Sequence, residues 1–359
     1  MRLRRVTTRT RGWTRRRAGR GWTYLDELGG TITGEERERI EALVIPPAWK
    51  DVWISPWANG HLQATGVDEA GRTQYLYHPD WVRQRNLEKF DRISQIAHEL
   101  PRLRKLVADH ITARDGSREH AAAVAVRMLD SGSFRVGNDV YAKQGSFGLT
   151  TLERRHVRAK GNTLVFTFVG KSGVEHQVVL DDEPVVDAVN RMRRRRGGGP
   201  RLLEYLANRS RFPLDSSDVN TYLREQTGLE ISAKDLRTWA ATVLAAEVLA
   251  LSDEPGDTKA SRARAVRAAL TEVSLALGNT PTVVRSSYVD PRLISLYESG
   301  TVIPRQSFEG EIDALERRNA IERETLRLLR DVDLRGARDL DTPSRCARRH
   351  SITGPSVIE

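Results

Sequence analysis

The stretch TLVFTFVGKSGVEHQVVL, residues 163–180, is the part of the chain that decides its fold class. Two runs rich in β-branched and aromatic residues, 163–169 and 174–180, flank the turn sequence GKSG, and this pattern predicts a β-hairpin. On both sides the apolar residues take helical spacing, at 81–111 and 118–131 before the hairpin and onward to about Leu329 after it. We therefore expect a mainly helical domain that carries one small β-sheet.

The turn of this hairpin contains a Gly-Lys-Ser sequence of the kind found in phosphate-binding loops. That motif requires an additional glycine five residues before the glycine of the Gly-Lys pair, and the chain has Val165 there. The residues before the lysine also read as a strand and not as a glycine-rich loop. The sequence therefore predicts no nucleotide cofactor at this position.

A second β-rich region precedes the helices. Short alternating runs at 52–55, 61–67 and 72–78 predict strands, and the segment DEAG at 68–71 predicts the turn between the last two. The predicted fold class is α+β, with a small β-rich N-terminal module and a larger, mainly α-helical domain. We divide the chain into a basic disordered arm (1–20), the β-rich module (21–90), the helical domain (91–330) and a disordered tail (331–359).

The charge of the chain suggests its type of partner. The 359 residues carry a formal net charge of +10, and only eight of the 58 basic residues are lysines. The planar fork of arginine suits bidentate phosphate contacts, which favours a polyanionic partner, although a GC-rich genome produces the same bias. The first 20 residues hold nine arginines and no acidic residue, so they are either a phosphate-binding arm or a solvated tail.

Other features exclude classes of protein. Cys346 is the only cysteine, which excludes a disulfide framework, a cysteine-based zinc site and an iron–sulfur cluster. No run of about 18 apolar residues is present, so we expect no membrane span. The first residues lack the apolar region of a signal peptide, and we expect an intracellular protein.

Three basic residues lie in unusual local settings. Arg135 belongs to a glycine-flanked segment after a helix, Lys171 to the hairpin turn, and Arg237 to the start of an alanine-rich helix. A phosphoryl-transfer enzyme needs a nucleophile, a proton for the leaving oxygen and positive charge on the phosphoryl oxygens. The histidines and acidic residues show no metal-ligand spacing, so we expect such an enzyme to work without a metal or another cofactor.

These settings belong to a series of motifs that resembles the type IB DNA topoisomerases of the poxvirus and bacterial branch. The resemblance covers roughly residues 20–330, and its motifs occur in the family's order. They are GRTQYLYH (71–78), FRVGNDVY with GSFGLTT (134–141 and 145–151), TFVGKSGVEH (167–176), KDLRTW (234–239) and LGNTPTVVRSSYV (277–289).

The resemblance implies a reaction. Tyr288 would attack a phosphodiester of double-stranded DNA and form a 3′-phosphotyrosyl link, and resealing would need no ATP. Lys171 would donate a proton to the leaving 5′-oxygen, while Arg135 and Arg237 would bind the non-bridging oxygens. Asn279 stands where poxvirus members usually have histidine, and an amide can donate a hydrogen bond there but cannot carry a proton.

The resemblance also implies DNA contacts. They involve Gln74, Tyr75 and Tyr77 in the N-terminal module, together with Tyr141 and Lys234 in the helical domain. Packing of the two module tyrosines into the protein core is the alternative that the alternating pattern leaves open. A further departure from the poxvirus pattern is Asn138, where a basic residue is usual, and this argues against a poxvirus-like sequence preference.

The predicted function is relaxation of supercoiled duplex DNA by a monomer that clamps the duplex in the bacterial nucleoid. A tyrosine recombinase shares the same catalytic residue types, but it usually has histidine where this chain has Lys234, and its N-terminal domain is helical. A non-catalytic DNA-binding protein is the third alternative, and it would need a damaged catalytic set. The run at 191–196 is interpreted as a solvated helix end.

Overall fold

The structure, a computed structural model, describes residues 2–252, 258–310 and 313–340. The chain forms two compact units, Met1–Asp91 and Arg92–Glu359. None of the described helices combines the length and the apolarity that crossing a membrane requires.

The first unit is built on a five-stranded antiparallel sheet with the strand order β2-β1-β3-β4-β5. Helix α1 contributes Ile40 to an apolar core that also contains Trp13, Tyr24, Ile54 and Ala64. The elements are β1 (Trp13–Ala18), β2 (Gly21–Leu25), α1 (Gly34–Ala42), β3 (Lys50–Ile54), β4 (Leu62–Val67) and β5 (Thr73–Tyr77).

The prediction of a disordered arm over residues 1–20 is wrong. Residues 13–18 form β1, which lies between two other strands, and Arg4 pairs with Gly60 in an isolated parallel bridge. Trp13 anchors the strand in the core. The guanidinium of Arg15 donates to the backbone carbonyls of Pro46 and Trp49, at 2.6 and 2.8 Å, and lies over the ring of Trp22. An arginine-rich segment therefore folds here because backbone carbonyls accept hydrogen bonds from the Arg15 guanidinium and an indole ring lies against its charge.

The second unit is mainly helical. Helix α2 (Pro79–Ala113) begins in the first unit and ends in the second. The other helices are α3 (Arg118–Asp130), α4 (Asp139–Ala142), α5 (Glu183–Arg194), α6 (Ser216–Thr227), α7 (Ala233–Leu251), α8 (Lys259–Leu277), α9 (Pro281–Ser287), α10 (Pro291–Glu298) and α11 (Ala314–Leu340).

Helix α3 is the central helix of this unit. Its run of small residues from Ala121 to Ala125 is buried, as are Met128 and Leu129. It contacts α5, α6 and α7, and small side chains allow these helices to approach closely on several sides. The FRVGNDVY motif at 134–141 begins four residues after the end of this buried helix.

The predicted hairpin is confirmed, with β6 (Val157–Lys160), β7 (Thr163–Val169) and β8 (Glu175–Leu180) forming an antiparallel sheet in that order. The prediction of a single sheet is wrong, because β9 (Glu204–Ala207) and β10 (Ser210–Pro213) form a second hairpin. Its turn places Asn208 and Arg209 at φ of 50° and 63° without a glycine, so the sequence lacks the usual hairpin signal.

The tail predicted to be disordered from residue 331 is also corrected in part. Helix α11 continues to Leu340. The remainder of that prediction, residues 341–359, lies outside the described residues.

Candidate active site

The segment that carries Arg135 is fixed by its backbone. The carbonyl of Arg135 accepts from the N–H of Leu149 at 2.7 Å, and the carbonyl of Val136 accepts from the N–H of Thr150 at 2.8 Å. These bonds require a close backbone crossing, because a Cβ on Gly148 would lie 2.6 Å from the backbone nitrogen of the glycine two residues after Arg135. The glycines of the two sequence motifs therefore serve to fix the arginine.

Arg237 lies two residues after Asp235, in the first turns of α7. Ser232 caps this helix, and its backbone N–H donates to the carboxylate of Asp235 at 2.9 Å. The guanidinium of Arg237 donates to the carbonyls of Gly132 at 2.7 Å and Leu277, and the side chain is only 4% exposed. Arg237 therefore holds the start of the Arg135 segment against the end of α8.

The guanidinium of Arg135 lies in the same place. It donates to the carbonyl of Gly278 and to Oδ1 of Asn279, both at 2.7 Å. Burial lowers the pKa of Arg135, and burial followed by the charge of Arg135 lowers the pKa of Arg237 to about 10, with Tyr288 acting in the opposite direction. Two guanidinium groups, one half-buried and one buried, therefore donate to the same turn at the end of α8.

Tyr288 lies beside this arginine pair. Thr280 caps α9, Pro281 begins it, and Tyr288 ends that helix. Its half-buried ring lies 5.9 Å from Cζ of Arg237, and its carbonyl accepts from Oγ1 of Thr242 at 3.2 Å. The tyrosine is thus fixed at its backbone while its side chain reaches the guanidinium group.

Asn279 has one donor without a partner. Its Oδ1 accepts from Arg135, whereas its buried Nδ2 makes no hydrogen bond to any residue in the described part of the chain. The preceding Gly278 has a φ of 57°, a left-handed conformation that ends α8 and turns the amide towards Arg135. A buried N–H without a partner is available to a ligand oxygen.

Lys171 lies on the exposed turn between β7 and β8. The turn closes with the N–H of Gly170 donating to the carbonyl of Val174 at 2.7 Å, and Ser172 has a φ of 66°. The ammonium group of Lys171 makes no hydrogen bond or ion pair with any described residue. The turn is joined to the Arg135 region by Ser146, whose Oγ donates to the carbonyl of Gly170 at 2.8 Å.

Sequence reasoning missed one residue of this site, His176. It lies among the quoted motif residues but received no role, because a single histidine on a strand carries no chemical signal. In the structure it borders a recess of about 10 Å³ together with Arg135 and Arg237. Only the packing of the hairpin against α8 places it there.

The other predicted contact residues of this unit are exposed. Tyr141 in α4 is 49% exposed, and Lys234 is exposed in the first turn of α7. Asn138 has a local role, because its side chain accepts from the N–H of Val140 at 2.8 Å and caps α4.

In the first unit, Tyr75 and Tyr77 lie on the edge strand β5, 51% and 42% exposed, with their rings stacked at 6.0 Å. The alternative that both pack into the core is therefore wrong, since Leu76 between them points to the core instead. Gln74 donates to Oδ2 of Asp68 at 2.8 Å.

The strand register defines the face of this sheet that lies opposite its core, termed the solvent face. Thr14 and Tyr75 on this face are exposed, whereas Thr65 is buried. Thr14 pairs with Trp53, which pairs with Thr65, which in turn pairs with Tyr75. Arg16, two residues along β1 from Thr14, is exposed on the same face. The face that includes these residues is opposite the core and the helix α1.

Comparison with known proteins identifies the family. The model of the eukaryotic DNA topoisomerase I catalytic core matches residues 78–298, which is more than half of the chain. This chain belongs to the type IB DNA topoisomerases. The model of the bacterial DNA topoisomerase IB N-terminal domain matches residues 21–68.

Similar proteins agree with this assignment. A DNA topoisomerase 1B of Acanthamoeba polyphaga mimivirus is 28% identical over 285 residues, which cover 77% of this chain and 84% of the viral protein. The DNA topoisomerase 1B of vaccinia virus (strain Copenhagen) is 26% identical over 148 residues, 40% of this chain and 47% of the viral protein. The resemblance inferred from the motifs is confirmed, and DNA is the substrate of the enzyme.

Proposed function

We propose that the enzyme relaxes supercoiled duplex DNA by nicking and resealing one strand through a 3′-phosphotyrosyl intermediate, without ATP or a metal ion. The observation that carries this proposal is the meeting of four side chains at the end of α8. They are Arg135, Arg237, Asn279 and Tyr288. A phosphate placed between the guanidinium groups would lie beside the tyrosine hydroxyl.

The proposed reaction uses these four side chains together with Lys171. The hydroxyl oxygen of Tyr288 attacks phosphorus, its proton passes to solvent, and the bond to the 5′-oxygen breaks. The ammonium group of Lys171 gives a proton to that oxygen, so the products are a 3′-phosphotyrosyl link and a 5′-hydroxyl. Resealing is the reverse reaction, and since the link conserves the bond, no ATP is needed.

The arginine pair acts on the transition state. Negative charge on the non-bridging oxygens increases as phosphorus becomes pentacoordinate, and preorganised donors stabilise it without reorganisation. In the free protein the guanidinium groups donate to carbonyls at the end of α8, which holds them in place before DNA binds. We propose that the unpartnered Nδ2 of Asn279 supplies one further donor to the same oxygens.

We further propose that both units contact the duplex. Gln74, Tyr75 and Tyr77 would do so from the first unit, and Tyr141 and Lys234 from the second. The stacked, exposed rings of the two module tyrosines support this, because aromatic rings without core contacts are suited to sugar and base edges. We also propose that the enzyme works as a monomer in the bacterial nucleoid; the match to a bacterial domain model supports the location.

Plasmid relaxation in EDTA without ATP tests the proposed function. We expect complete relaxation by the wild-type chain and a covalent adduct at the 3′-end of the nicked strand. Tyr288→Phe should abolish both while duplex binding persists, because only a hydroxyl is lost. Tyr297→Phe is the matched control, since this buried tyrosine hydroxyl has no hydrogen-bond partner among the described residues, and it should stay active.

Three outcomes would contradict the proposal. They are a requirement for Mg²⁺ or ATP, a covalent adduct in the Tyr288→Phe protein, and joining of paired sites in place of relaxation. The last result would favour a recombinase-like reaction. Sedimentation of the DNA-bound enzyme measures its oligomeric state.

A further inference from the structure

His176 occupies the space between two parts of the active site. It lies on β8 opposite Phe168 of β7, and the two rings stack with centroids 5.4 Å apart. The ring therefore points to the same side of the hairpin as the buried Phe168. Lys171 lies on the turn that joins these two strands.

Two glycines enclose the imidazole ring. A Cβ on Gly170 would lie 2.5 Å from Cδ2 of His176, and a Cβ on Gly278 would lie 2.5 Å from Cε1. The ring thus contacts the residue just before Lys171 and the residue just before Asn279. No side chain fits at either glycine unless the ring moves.

The imidazole is held by van der Waals contacts with its neighbours and not by hydrogen bonds. Its ring nitrogens make no hydrogen bond within the residues that the structure describes. Burial, followed by the charges of Arg135 and Arg237, lowers the pKa of His176, which favours the neutral ring. A neutral ring can pack beside the guanidinium pair without adding a third positive charge.

We infer that His176 is a positioning residue that sets the distance between the Lys171 turn and the Gly278–Asn279 turn. The inference rests on the proposed function, in which Lys171 protonates the leaving oxygen. Lys171 is exposed and has no partner of its own among the described residues, so the placement of its ammonium group depends on the placement of the turn. A displacement of about 1 Å at a catalytic group can lower the rate about 10²-fold.

Single-turnover cleavage by His176→Ala tests the inference. Two substrates are needed, normal DNA and DNA whose leaving 5′-oxygen is replaced by sulfur, because a thiolate leaves without a proton. We expect a loss of about 10–100-fold on normal DNA, near wild-type duplex affinity, and recovery of most of the rate on the sulfur substrate. A purely structural defect would slow both substrates equally.

Gln177→Ala is the matched control. Gln177 is exposed on the opposite face of the same strand, paired with Thr167, and its loss should leave both rates unchanged. A rate loss for His176→Ala that is equal on both substrates would overturn the inference, as would wild-type cleavage of normal DNA.

A second variant disturbs the ring without removing it. Gly170 has an extended backbone conformation that alanine can also adopt, so Gly170→Ala introduces no backbone strain. Its new Cβ would contact the imidazole. We expect it to show the same preferential loss on normal DNA, and to add little to the loss caused by His176→Ala when the two are combined, because the ring it would displace is then absent. Equal effects on the two substrates in both variants would overturn the inference even if one variant folds poorly.

Lys171→Ala, measured in parallel, separates the inference from the proposed function. If this variant recovers on sulfur and His176→Ala does not, only the inference fails. If Lys171→Ala does not recover, Lys171 is not the acid, and both the inference and this part of the proposed function fail. If both recover, adding His176→Ala to Lys171→Ala should cost less than threefold on normal DNA, since the group that it positions is already absent.

Discussion

At the scale of single residues, the oxygen and the nitrogen of the Asn279 side-chain amide have different surroundings. Its Oδ1 accepts from Arg135 at 2.7 Å, while its buried Nδ2 has no partner among the described residues. If Nδ2 donates to a phosphoryl oxygen, Asn279→Ala should slow cleavage about 10²–10³-fold, as loss of one oxyanion donor does elsewhere. Resealing should slow equally because both steps pass through the same pentacoordinate phosphorus.

Histidine at this position provides the control. Asn279→His can present a ring N–H to the same oxygen and should retain much of the activity. It should also acquire a pH dependence between about 5 and 8, which the wild-type amide lacks. Single-turnover cleavage of the three proteins across that range measures both effects. Near wild-type cleavage by the alanine variant would remove Asn279 from the catalytic set.

At the scale of the elements, the end of α8 organises the site. The carbonyls of Leu277 and Gly278 accept from Arg237 and Arg135, respectively. The C-terminus of a helix carries partial negative charge, so it stabilises two guanidinium groups that would otherwise repel each other. The helix therefore keeps the arginine pair in place in the absence of a phosphate.

The backbone crossing at Gly148 gives an element-scale prediction. A Cβ there would lie 2.5 Å from Cα of Gly137 and 2.8 Å from the carbonyl oxygen of Arg135, and backbone atoms cannot yield as a flexible side chain can. We expect Gly148→Ala to lower the free energy of unfolding by about 1–3 kcal/mol and to slow cleavage. Denaturant titration and single-turnover cleavage measure the two effects.

Gly21→Ala is the control for this substitution. A Cβ on Gly21 would meet its nearest atom at 3.9 Å, so its unfolding free energy should change little. If Gly148→Ala were as stable and as active as the control, the crossing would not fix the Arg135 segment.

At the scale of the whole molecule, the net charge of +10 predicts binding that weakens with salt. Arg16 lies on the solvent face of the N-terminal sheet that also carries Tyr75, whereas Arg37 lies on α1, which packs on the opposite face. Arg16→Gln should reduce the slope of log affinity against log salt by about 1, the value for one lost phosphate contact.

Arg37→Gln, which removes the same charge, should leave that slope near the wild-type value. Fluorescence anisotropy with a labelled duplex at several salt concentrations measures all three slopes. Equal slopes for the two variants would exclude the solvent face of the sheet as the DNA-binding surface. Deletion of residues 1–20 is unsuitable for this purpose, because it removes β1 from the interior of the sheet.

The sequence by itself determined the α+β class, the hairpin over 163–180 and the family. These features depend on local signals: alternation, helical spacing of apolar residues, and motifs in a fixed order. The sequence also named the residues that meet at the end of α8, but it did so through resemblance, because residues 135, 237 and 288 are far apart in the chain.

Tertiary structure alone decided the features that depend on partners distant in sequence. Arg15 is part of a folded strand because backbone carbonyls about 30 residues later in the chain accept hydrogen bonds from its guanidinium group. No local sequence pattern indicates these bonds. The sequence did not predict the second hairpin, because the turn between β9 and β10 has no glycine. His176 lies in the site because tertiary packing places Gly170 and Gly278 on the two sides of its ring. Long-range packing, which periodicity and composition do not encode, decides each of these positions.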